Sequence, residues 1–163
     1  MWPFHRKSST APRIPDGYQH VLSLLEPTEV DARGGLPGEA IAGTYLDPTH
    51  TLESFRANPV FVSFLHRVIS AHSMASRELA KAASEMGKGY LYIIDWRTPD
   101  PDGEVPPEDI IAAVEIKDGR VAPDSYQPNP NYRVLTQRGV TRLTPSQREA
   151  FVKALPNASA SDT

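Results

Sequence analysis

Residues 89–133 read GYLYIIDWRTPDPDGEVPPEDIIAAVEIKDGRVAPDSYQPNPNYR, and this stretch decides the fold. It opens on an aromatic and β-branched run, residues 89–96, and carries a second apolar run at 110–116. Both read as strands. The first is apolar on both faces, which points to a central strand covered on both sides. A proline- and acid-rich loop, 97–109, joins them. Asp118-Gly119 is a hairpin signal into residues 120–122. A second shaped loop ends in Asn129-Pro130-Asn131-Tyr132, where Asn mimics backbone turns and Pro fixes the bend.

Working outward, residues 18–25 and 40–46 are strand candidates, separated by a loop over 26–39 that carries glycines and prolines. Asn58-Pro59 is the best helix start, with Asn as N-cap and Pro at the first helical position. Phe61, Phe64, Leu65, Val68, Ile69 and His72 then fall on one helical face. A second helix is expected over 74–86, stopped by Gly87 and Gly89. Residues 132–136 and 140–143 flank a second hairpin, and Thr144-Pro145-Ser146-Gln147 opens a last helix. The sum is an α+β fold: a single domain over 17–155, mainly antiparallel sheet with two central helices and a short C-terminal helix. Residues 1–16 are expected to be a disordered lead and 156–163 a disordered tail.

A chain of 163 residues suggests one domain with a real core. Prolines number 16 and sit between apolar runs, as loop punctuation. A net charge of −3 provides no electrostatic reason for a nucleic-acid or anionic-membrane partner. There is no Cys, which excludes disulfides, thiolate metal sites and a Cys nucleophile. The opening residues lack the apolar core of a signal peptide, and no run is long enough to span a membrane. A cytoplasmic location is the expectation.

The carboxylates Asp95, Asp100, Asp102, Glu104, Glu108 and Asp109 crowd one loop, as a divalent cation would want. They do not match the spacing of an EF-hand, and no metal is expected. Asp95 stands apart because it ends an apolar strand beside Arg97, the natural partner of a buried carboxylate. His66 and His72 lie six apart, which is not the helical metal-pair spacing. Gly34, Gly35 and Gly38 match no phosphate-loop pattern, and no nucleophile elbow is present.

The segment V-P-P-E-D-I-I-A-A-V-E-I-K-D-G-R-V, followed by Y-Q-P-N-P-N-Y, resembles the C-terminal part of cholera-toxin-like and pierisin-like ADP-ribosyltransferase domains. Gly89-Tyr-Leu-Tyr-Ile-Ile-Asp95 is similar to the strand before it, and Phe61-Val62-Ser63 to that family's central strand signature. Over residues 60–133 the resemblance implies NAD as cofactor and His20, Ser63 and Glu104 as the catalytic set. It puts Phe61, Val62 and Ser63 on a strand, against the helix signal of Asn58-Pro59. The family's first-strand Arg has only Gln19 or His20 in its place, and Glu104 lies close to Val105-Pro106. An ADP-ribosyltransferase-like domain, active or inactive, is therefore the alternative reading.

The leading expectation is a non-enzymatic interaction or regulatory module of bacterial type, an accessory or immunity-like factor with a protein partner and no cofactor. Aromatics on preorganised loops suit protein contacts. The binding candidates are Asp95, Trp96 and Arg97 in the first loop and Tyr126, Asn129, Asn131 and Tyr132 in the second.

Overall fold

The structure, a computed structural model, describes residues 20–99 and 103–156 together with the backbone of residues 2–5. The chain is α+β with antiparallel sheets. It divides into two compact units, one built from residues 1–65, 134–141 and 151–163, the other from 66–133 and 142–150.

The first unit holds an antiparallel sheet in the order β1 (Trp2–His5), β2 (His20–Ser23), β3 (Ile41–Tyr45), β4 (Phe55–Ala57). The strand at 2–5 falls within the expected disordered lead; the rest of that lead, and residues 157–163 of the tail, lie outside the described residues. Between β2 and β3 the chain forms α1 (Pro27–Arg33), where a loop was expected. Glu26-Pro27 reads as a strand stop, but it is also a helix start. Pro27 occupies the first turn, and the Glu26 N–H donates to Glu29 Oε1 at 2.8 Å. Seven residues are too few to display a helical period. Gly34, at φ 76°, ends the helix in the left-handed conformation.

Asn58 begins α2 (Pro59–Ala75) as the sequence indicates. Its side-chain carbonyl accepts from the Val60 N–H at 3.1 Å, while its amide donates to Ile41 O at 2.9 Å and Gly38 O at 3.1 Å. One side chain thus caps the helix and ties it to the start of β3. Phe61 and Phe64 pack on Phe151, ring centroids 5.8 and 5.1 Å apart. Arg33 donates to Val152 O at 2.7 Å near the end of the last helix.

In the second unit α2 stops after Ala75. Ser76 caps α3 (Arg77–Met86) by accepting from the Leu79 N–H at 3.2 Å, so the second helix starts three residues later than the pattern placed it. The sheet runs β5 (Gly89–Ile94), β6 (Ile110–Lys117), β7 (Arg120–Val121), with β8 (Gln127–Pro128) also paired to β6. Asp118 and Gly119 both take positive φ, 52° and 73°, and make the tight β6–β7 turn. β5 is not the covered central strand expected. Among the described residues it pairs with β6 alone, and Tyr90 and Tyr92 are each 59% exposed. The apolar run misleads because a tyrosine ring tolerates water on one side. The second hairpin is shorter than expected: β9 (Leu135–Thr136) and β10 (Gly139–Val140), which belong to the first unit. Thr144 and Gln147 then box the start of α4 (Pro145–Ala154). The Gln147 N–H donates to Thr144 Oγ1 at 3.3 Å, and the Thr144 N–H to Gln147 Oε1 at 3.0 Å. Among the described residues no helix is long and apolar enough to cross a membrane.

Gly43 on β3 has no room for a side chain, since a Cβ there would overlap the Phe55 ring and the Arg56 carbonyl. Gly43→Ala is expected to destabilise by about 1–3 kcal/mol through overpacking against β4, read from a shifted urea midpoint at unchanged slope. A midpoint equal to wild type would mean that β4 does not close on β3.

Candidate functional site

The register of β5 on β6 pairs Ile94 with Ile110, which brings the residues just outside the strand pair, Asp95 and Asp109, to one end of it. The Asp95 N–H donates to Asp109 O at 2.7 Å. Arg97 lies between the two carboxylates, its Nε 3.1 Å from Asp95 Oδ1 and 3.3 Å from Asp109 Oδ1. The Arg97 side chain is 1% exposed and both Asp side chains are fully buried. Arg97 Nη2 also donates to Arg133 O at 2.8 Å, and Thr98 donates its hydroxyl proton to Asp109 Oδ2 at 2.7 Å. Asp95 accepts from the Tyr132 hydroxyl at 2.7 Å and from the N–H groups of Arg97 at 2.9 Å and Arg142 at 3.0 Å.

Two buried carboxylates share one guanidinium. Desolvation costs a buried carboxylate more than an exposed one, and the effect wins here. Burial pushes the Asp95 carboxyl above the ordinary Asp range, with Arg97, the two N–H donors and Tyr132 pulling it back. The cluster therefore fastens chain to chain: β5, the turn before β6, the end of the loop at Tyr132, and residue 142. None of its three charged members lines the cleft between α2 and residues 121–128 or the smaller one beside Ile69 and Tyr92.

The larger of those clefts, about 510 Å³, lies between the second half of α2 and residues 121–128. Its size falls in the range of ligand and side-chain pockets. At its polar end His66 Nδ1 and the Tyr126 hydroxyl share a 2.7 Å hydrogen bond. Burial holds His66 below the ordinary imidazole range and pushes the Tyr126 phenol up, so at neutral pH the pair is uncharged. Two serines in the wall are committed to backbone. Ser73 donates to Ser70 O at 2.6 Å, and Ser125 donates to Ala122 O at 2.7 Å. Met74, 54% exposed, and Ala71 supply apolar wall. A phenol that holds its proton and hydroxyls bonded to carbonyls are poor nucleophiles; an apolar cleft with a few fixed polar groups suits binding.

The loop that forms one wall has a fixed shape. Asn129 donates both amide hydrogens, to Pro107 O and Ile110 O at 2.8 Å each, and its side-chain oxygen accepts from the Asn131 N–H at 3.1 Å. Ser125 accepts from the Glu115 N–H at 3.0 Å.

Of the sequence's candidates, Asp95, Arg97 and Tyr132 come together in the buried cluster, and Asn129 and Asn131 form the turn that leads into it. Trp96 sits beside them under the Arg142 guanidinium, 5.2 Å from the ring centroid. Tyr126 alone lines the cleft. Ser63 is exposed on α2, so residues 61–63 are helical, as Asn58-Pro59 indicates. Glu104 is exposed in the second unit's first loop, whereas His20 and Ser63 belong to the first unit. The His20 ring meets His50 edge-on at 4.3 Å, and His50 stacks on Tyr45 at 4.4 Å. Among the described residues no three His, Asp or Glu side chains are placed to hold a metal. Sequence reasoning did not pair His66 with Tyr126, 60 residues away, and did not place Asp109 with Asp95. No family model, curated protein or solved structure matches this chain.

Arg97→Ala leaves two buried carboxylates without their shared cation and should cost about 3–5 kcal/mol in chemical denaturation; a loss below about 1 kcal/mol would contradict the cluster's role. Because native Asp95 keeps its proton to higher pH than an unfolded Asp, its contribution is complete below about pH 4 and is lost as pH rises through the raised native value. The stability of wild type relative to Asp95→Asn should therefore decline on raising the pH from 4, and a flat or rising difference would reverse the sign assigned here.

Proposed function

We propose that the chain is a protein-interaction module, and that its partner inserts an apolar side chain into the cleft between α2 and residues 121–128. The observation that carries this reading is the locked loop. A wall held by Asn129, Ser125 and the His66–Tyr126 bond is formed before any partner arrives, so binding has little ordering entropy to overcome. The lining supports the same reading. Tyr126 is an anchor of the type enriched where binding energy concentrates, and Met74 offers an adaptable apolar rim.

The test is site-specific photocrosslinking in the native host. A benzoylphenylalanine at Met74 should capture a defined partner. The same probe at Glu53, exposed in the other unit, should not. Ala71 is exposed and lines the cleft, so Ala71→Arg fills the space without touching the core, and it should cut the Met74 adduct by about tenfold or more, corresponding to about 1.4 kcal/mol. An adduct that survives Ala71→Arg in a chain with wild-type thermal stability, or that forms equally at Glu53, would remove the cleft as the docking site.

A further inference from the structure

The edge strands in these sheets carry the devices that stop sheets from adding further strands. β4 is three residues long and carries Arg56, β7 is two residues with Arg120, and β8 is two residues with Pro128. β1, at the other edge of the first sheet, carries Pro3. β5 carries none of them. It is six residues long, GYLYII, with no charge and no proline, and among the described residues only β6 pairs with it. Its solvent face presents Tyr90 and Tyr92, each 59% exposed, beside the small Ala113 and the half-buried Glu115 on β6. An uncharged, aromatic edge of this length, which no strand but β6 pairs with among the described residues, is a template for another strand.

We propose that β5 pairs with β5 of a second copy of this chain, antiparallel and two-fold symmetric about Leu91. The register follows from the pleat. Directly opposed residues in an antiparallel pair point to the same face, so a residue of even number must meet another of even number. The edge ends at Ile94, because beyond it the Trp96 N–H is taken by Arg142 O. Centring on Leu91 uses the whole free edge, setting Ile94 against Lys88 and each Tyr90 against the partner copy's Tyr92. The strand is uncharged from Gly89 to Ile94, so self-pairing sets no like charges against each other. It gathers four tyrosines into one patch.

Size sets the strength. A tyrosine buries about 150–250 Å², and these are little more than half exposed beforehand, so four of them with the strand backbone stay below the roughly 1,200 Å² of a standard interface. The dimer is accordingly weak and reversible.

Sedimentation equilibrium of the full chain from micromolar to millimolar concentration tests this, using charges placed at the two exposed positions. Wild type should shift from monomer to dimer with concentration. Tyr90→Lys/Tyr92→Lys sets lysine against lysine in the proposed register and should raise Kd at least tenfold. Tyr90→Lys/Tyr92→Glu sets lysine against glutamate across the symmetry axis and should restore pairing to within a few-fold of wild type. Thermal melts confirm that both variants fold, as the exposure of the two rings leads one to expect. A wild type that stays monomeric throughout, as it would if the edge served only a different protein's strand, overturns the proposal. So does a double-lysine variant that dimerises like wild type, or a Lys/Glu variant no better than the double lysine.

Discussion

A single guanidinium shared by two buried carboxylates governs the second unit of this protein. Asp95 and Arg97 stand two residues apart, Asp109 joins them from the turn before β6, and each would be costly to bury alone. Together they are held by charge and by hydrogen bonds: backbone N–H groups and the Tyr132 hydroxyl on Asp95, Thr98 on Asp109, and the Arg133 carbonyl on Arg97. Burial displaces the Asp95 carboxyl upward, against the pull of Arg97 and of its hydrogen-bond donors.

The consequence lies in the loops. Tyr132 is pinned to Asp95, and Asn129 is bonded to the turn that delivers Asp109, so the segment from 121 to 133 is anchored at its far end by the cluster and nearer its start by the His66–Tyr126 bond. Ionic groups buried away from the cleft thus determine the shape of its wall. The three buried charges of the cluster therefore lie outside the cleft, whose lining stays mostly apolar.

Local signals were legible and distant ones were not. Asn58-Pro59, Asp118-Gly119 and Thr144-Pro145-Ser146-Gln147 each specify a cap or turn within four residues, and each forms where its residue types demand. Asp95 beside Arg97 was readable as an ion pair for the same reason. Asp109 as the third member, Tyr132 reaching back 37 residues, and Tyr126 meeting His66 are set by strand register and loop path, which leave no mark on neighbouring residues. The helix at 27–33 escaped because Glu26-Pro27 signals a strand end as well as it signals a helix start. β5 escaped because the alternation that betrays an edge was filled with tyrosine in place of charge.

The central claim is that the buried cluster sets the shape of the cleft wall, and Tyr132→Phe isolates it by removing one hydroxyl and nothing else. Native-state hydrogen exchange should show the amides from 125 to 133 exchanging at least about tenfold faster in the variant, with α3 unchanged, as local opening without global loss predicts. Equal protection of that loop in wild type and variant would contradict the account, because the wall would then hold its shape without the cluster.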